Sequence, residues 1–173
     1  AAHCLSGETA AVKIYLGSGE QILADSFYPS PDYRPNDPSS LDVGIVITGQ
    51  DLGRPGVPLL LSRDARVGEQ AVIAGWGEDA MGAGTVLRAA TTSIATVGPY
   101  YLETTNGTGL SSVCSGDSGG PILVSEGGVW AVAGVVSATS GSNCLSGASL
   151  YANIRNAANM SFILGLVPLA GRR

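Results

Sequence analysis

The stretch Gly116-Asp117-Ser118-Gly119-Gly120-Pro121 places one hydroxyl side chain among glycines. Glycine lacks a Cβ and tolerates positive φ, so such a stretch can turn sharply and leave Ser118 open to an approaching carbonyl. The backbone N–H groups of Gly116 and Ser118 can then converge on one point, which is how an oxyanion is stabilised. Taken alone, the hexapeptide reads equally well as a plain turn between two strands. Two other stretches bear on the choice. Ala1-Ala2-His3-Cys4 contains the sole histidine, and Leu41-Asp42-Val43-Gly44-Ile45-Val46 sets an aspartate before an apolar run. A serine hydroxyl needs a base at neutral pH, and neutral imidazole supplies one. The imidazole in turn needs a buried carboxylate to fix its tautomer and stabilise it once it is charged. The run from Val43 to Ile47 predicts a buried strand with Asp42 at its sheltered end.

In the order His, Asp, Ser, the three stretches resemble the trypsin/chymotrypsin family of serine endopeptidases. Subtilisin-like and α/β-hydrolase enzymes use the same groups in other chain orders. Ala2-His3-Cys4 resembles the family's histidine box, Asp42 to Val46 its aspartate box, and Cys114 to Pro121 its serine box. Val72-Ile73-Ala74-Gly75-Trp76-Gly77 is similar to a strand of the second barrel. Gly134-Val135-Val136-Ser137 is similar to the strand along which substrate lies, and Tyr151-Ala152-Asn153-Ile154 to the last strand before the C-terminal helix. The likeness spans nearly the whole chain.

The resemblance implies an all-β fold of two six-stranded Greek-key β-barrels and a short C-terminal helix. Residues 1–64 would be the remainder of an incomplete first barrel, and residues 65–173 the second barrel and the helix. It implies a peptidase with catalytic His3, Asp42 and Ser118, an oxyanion hole of Gly116 and Ser118, and polypeptide substrates. Asp117 matches the family's acceptor of the new α-amino group after zymogen cleavage. Family members place about a third of the first barrel before the histidine box, so a longer parent chain is expected. Cys114 and Cys144 match the bridge that ties the serine loop to the far wall of the specificity pocket, two buried thiols being the alternative. Cys4 matches a cysteine whose partner lies upstream, which leaves it the orphan of three.

Specificity is expected in the pocket for the side chain before the scissile bond. Ser112 matches the pocket floor, where a trypsin-like enzyme has aspartate, and a serine there offers no countercharge for Lys or Arg. Ser137, Ala138 and Thr139 match the substrate-pairing strand, and Ser149 the opposite wall. Thr139 and Ser149 stand where wide pockets have glycine, which implies a small pocket for Ala, Val or Leu. The competing reading takes them as ordinary polar strand-end residues. The loop Ser140–Asn143 is one residue longer than usual for the family.

Composition agrees with a β-rich chain: 25 glycines and nine prolines in 173 residues, with only 13% charged. A net charge of −5 provides no basic stripe for nucleic acid. The apolar stretch Phe162–Gly171, with Pro168 inside it, is too short to cross a bilayer and reads as the C-terminal helix. One histidine and three scattered cysteines lack ligand spacing, so neither a metal nor another cofactor is expected. A secreted monomer that meets protein protease inhibitors completes the expectation. Asn106-Gly107-Thr108 and Asn159-Met160-Ser161 are formal glycosylation acceptors. Two rival readings stay open: a non-catalytic relative that acts as a binding module, and an inert fragment of an active parent.

Overall fold

A computed structural model describes residues 1–17, 19–79, 82, 84 and 86–173. One closed barrel dominates it. Its strands are β5 (Gln70–Gly75), β6 (Arg88–Val97), β7 (Tyr101–Thr105), β8 (Pro121–Glu126), β9 (Val129–Thr139) and β10 (Ala148–Asn153). Around the barrel they run β10-β7-β6-β5-β8-β9, every pair antiparallel. β5, β6 and β7 follow one another and β8 returns beside β5, which is a Greek key.

Alternation of side chains explains the closure. In β8, Ile122 and Val124 point inward, as do Leu102 and Thr104 in β7 and Ala71 and Ile73 in β5. The apolar ones meet Leu60, Ile94, Val113, Ala131, Ala133, Val136 and Tyr151 in one buried cluster. β8 and β9 are joined through Gly127-Gly128, whose φ values of 59° and 79° suit the two-residue hairpin turn that needs positive φ at both places.

Residues 1–64 form smaller pieces packed beside the barrel. A 3₁₀ turn spans Ala2–Cys4, β1 (Lys13–Tyr15) pairs with β2 (Gln21–Leu23), and β3 (Ser26–Pro29) pairs with β4 (Gly44–Ile47). Among the described residues these are two separate two-stranded sheets. The helix α1 covers Ala157–Leu166, earlier than the expected Phe162–Gly171. Asn156 sets its start: the Asn156 Oδ1 atom accepts from the Ala158 and Asn159 amides at 3.0 and 3.4 Å. Pro168 follows the last turn and cannot continue it. Ile163 of α1 packs with Val43, Ala152 and Ile154 in a second cluster between barrel and helix.

Ile122→Ala is expected to lower unfolding free energy by about 2–5 kcal/mol, because Ile122 is wholly buried in the barrel core. Leu169→Ala, at a side chain 94% exposed, should change it by less than about 0.5 kcal/mol. Urea denaturation of both variants checks the contrast.

Candidate active site

Asp42 sits in a three-residue turn closed by a hydrogen bond from the Val43 amide to the Leu41 carbonyl, 2.9 Å. Leu41 and Val43 on either side are buried, so the turn turns the carboxylate inward, and its side chain is only 3% exposed. Three donors meet it there. The His3 amide donates to Oδ1 at 2.8 Å, and Ser137 Oγ donates to Oδ2 at 2.6 Å. His3 Nδ1 lies 2.7 Å from Oδ2, and with its proton on Nδ1 the ring donates there. Nε2 then keeps its lone pair for an incoming proton. Burial pushes the Asp42 carboxyl up, but the bonds from Ser137 and from the His3 ring and amide outweigh it and hold the group below the usual carboxylate range.

Ser118 lies on the loop between β7 and β8. Its path is set by Gly116 (φ 91°) and Gly119 (φ 85°), a conformation that disfavours any residue with a Cβ. Bonds from the Gly119 amide to the Val136 carbonyl and from the Val136 amide to the Gly120 carbonyl fasten the loop to β9. On its other side Asp117 turns away from Ser118, Oδ1 accepting from the Gly77 amide at 2.8 Å and Oδ2 from the Cys114 amide at 2.9 Å. A Cβ on Gly75 or Gly77 would collide with that carboxylate. The amides of Gly116 and Ser118 donate to no acceptor among the described residues. Both are free for a ligand oxygen.

The 3₁₀ turn carrying His3 rests on this loop. Cys4 Sγ approaches the Ser118 carbonyl at 3.9 Å, and a Cβ on Gly119 would stand 3.1 Å from the Ala1 nitrogen. Among the described residues no hydrogen bond joins Ser118 Oγ to His3. Cys114 and Cys144 form a disulfide, and Cys4 is a free, exposed thiol.

This architecture has a match. The family model described as Trypsin covers residues 1–160. The chain belongs to the trypsin family. Membership gives it a serine-protease type of function with peptides as substrates. No curated protein matches the chain.

Within this trypsin-family fold the remaining expected site residues fall into distinct settings. Ala138 is exposed on β9, and Thr139 pairs directly with Ser149 across the β9–β10 ladder. Ser137 is half-buried with its hydroxyl committed to Asp42. Ser112 is half-buried and lines a cavity of about 690 Å³ behind the Ser118 loop, together with Gly77, Asp117 and Leu145. Ser149 is wholly buried, its Oγ donating to Asn106 Oδ1 at 2.7 Å and accepting from the Val113 amide at 3.2 Å. Asn106 and Asn159 are buried too, which removes both formal glycan acceptors from the surface.

Sequence reasoning missed Trp76. It is exposed and borders, with Tyr15, Leu87 and Pro121, a groove of about 1360 Å³ that reaches Ser118. An aromatic beside a glycine pair was its only signal. Among the described residues no group of three or more His, Cys, Asp or Glu side chains could hold a metal ion, and no helix is long and apolar enough to cross a membrane.

Because the folded state holds Asp42 below its unfolded value of about 3.9, its contribution to stability is present above that pH and is lost as pH falls through the folded value. Thermal unfolding followed from pH 7 downward should therefore show wild type losing stability more steeply below about pH 4 than Asp42→Asn, which carries no titrating carboxyl there.

Proposed function

We propose that the chain is a serine endopeptidase acting through an acyl-enzyme. The observation that carries this reading is the three-donor hold on Asp42, which fixes the His3 ring beside the loop bearing Ser118. His3 Nε2 takes the Ser118 proton as Oγ bonds to the substrate carbonyl carbon. The carbonyl oxygen becomes an oxyanion that accepts from the Gly116 and Ser118 amides. His3 returns the proton to the leaving amine as the C–N bond breaks. Water then repeats the steps on the ester, restoring Ser118 and releasing the acid. Asp42 orients the ring and stabilises its cationic form throughout.

The proposal extends to specificity. Ser112 brings no carboxylate to the pocket floor, and Thr139 and Ser149 each bring a side chain, so small or medium apolar residues before the scissile bond are preferred over Lys and Arg. Substrate pairs as an added strand along Ser137 to Thr139. Residues 1–64 and 65–173 act as the two halves between which it binds. A secreted monomer fits the Cys114–Cys144 disulfide, and the reading includes release from a zymogen and control by protein inhibitors. The second reading, a binding homologue or an inert piece of a longer enzyme, draws on the absence of a Ser118–His3 hydrogen bond.

Labelling by a fluorophosphonate probe separates the two. Wild type is expected to label, Ser118→Ala not at all, and His3→Ala at least about 10³-fold more slowly. Folded wild-type protein that fails to label would overturn the peptidase reading.

A further inference from the structure

Behind the segment Ser112–Cys114 lies a closed chain of polar groups in which every member has a partner. The Val113 amide donates to Ser149 Oγ at 3.2 Å, and Ser149 Oγ donates to Asn106 Oδ1 at 2.7 Å. Asn106 Nδ2 reaches the Ser146 carbonyl at 3.4 Å, and the Asn106 amide donates to the Gly147 carbonyl at 3.0 Å. Ser149 is 0% exposed and Asn106 7%. Beside them Thr104 Oγ1 and Tyr151 OH are hydrogen-bonded at 3.1 Å, both side chains wholly buried. Ser149 also pairs with Thr139 on one side and with Thr104 on the other.

Those contacts connect four pieces of chain that no single strand would hold together: the end of β7, the Ser146–Gly147 bend, the start of β10, and the loop leading to Ser118. The two walls proposed to bound the substrate side chain, Ser112–Cys114 and the Thr139–Ser149 pair, meet in this network. The Val113 amide joins them directly through Ser149 Oγ, and Asn106 takes the proton of that same hydroxyl. A hydroxyl in an apolar site keeps one rotamer only when both its proton and its lone pair are satisfied, and the Asn106 carbonyl is what satisfies the Ser149 proton.

We propose that Asn106 is a positioning residue for substrate selection, which holds Ser149 inward and thereby keeps the pocket before the scissile bond small. This rests on the peptidase reading above and adds to it a residue that touches no substrate. Losing the Asn106 side chain frees the Ser149 hydroxyl and opens space behind it. The wall between Val113 and Ser149 then yields to larger side chains. Removing the hydroxyl itself has the same consequence, because the same link is broken.

The test uses a set of peptide p-nitroanilides that differ only in Ala, Val, Leu or Phe before the scissile bond, with wild type, Asn106→Ala, Ser149→Ala and the double variant. The ratio of kcat/KM for Phe to that for Ala is expected to rise at least tenfold in each single variant, mostly through KM. The double variant should rise no more than either single one, since one residue acts through the other. Circular dichroism and thermal melting of Ser149→Ala, the smaller change, keep the test valid if Asn106→Ala folds poorly. An unchanged ratio in a folded variant overturns the proposal, as does an equal loss for all four substrates or a fully additive double variant. Wild type that hydrolyses none of the four and does not label at Ser118 would instead overturn the peptidase reading, and with it this one.

Discussion

One buried carboxylate joins the two parts of this molecule. Asp42 belongs to the segment that enters β4, yet its oxygens are filled by the His3 amide, the His3 ring and the Ser137 hydroxyl of β9. A carboxylate taken out of water costs several kcal/mol unless donors replace its hydration. Here they come from both sides of the cleft, so the small sheets of residues 1–64 and the barrel cannot separate without exposing an unsatisfied group or rehydrating it. The His3 ring is oriented by the same bonds that hold the parts in place, and the site geometry and the packing of the molecule therefore have one cause.

On the opposite side of the cleft, the loop bearing Ser118 is held by a different device. Asp117 fills the space left by two absent Cβ atoms, at Gly75 and Gly77, and takes one backbone N–H on each oxygen. The Cys114–Cys144 disulfide fastens the loop's entry to the segment before β10. Bonds to Val136 fasten its exit. Entry, middle and exit of the loop are all tied, and the Gly116 and Ser118 amides donate to no acceptor among the described residues, as the proposed oxyanion hole of preorganised dipoles requires.

Much of this was legible in the residues. Gly116, Gly119 and Gly120 mark a sharp loop wherever they occur together, and the apolar run after Asp42 marks a strand, although β4 is half-buried along its length and only Val43 just before it is buried. Those signals are local, and local signals survive in a sequence. Ser149 was legible only as a side chain where the family has none; its buried hydroxyl is bonded to Asn106, which lies in a different strand connection. Arg63 is a second case. Nothing near it in the chain announces that it grips Glu69 with two nitrogens and Glu126 with a third, pinning the approach to β5 against the β8–β9 hairpin. The helix boundary shifted because Asn156, a cap by side-chain chemistry, outweighed the apolar stretch beyond it.

β10 holds an unusual place in the barrel, since it is the last strand in the chain and pairs with β7 and β9 on its two sides. Its pairing with β9 joins neighbours in sequence, but its pairing with β7 reaches back past β8 and β9. Closing the ring must wait for the final strand, and pairing across such distances is the slow part of building β structure. That strand also carries Ser149. Any partly folded state in which the ring is still open thus lacks the wall we propose for the pocket, even if the loop around Ser118 is already formed. On the proposed peptidase reading, the order of assembly places substrate discrimination after the seat of Ser118.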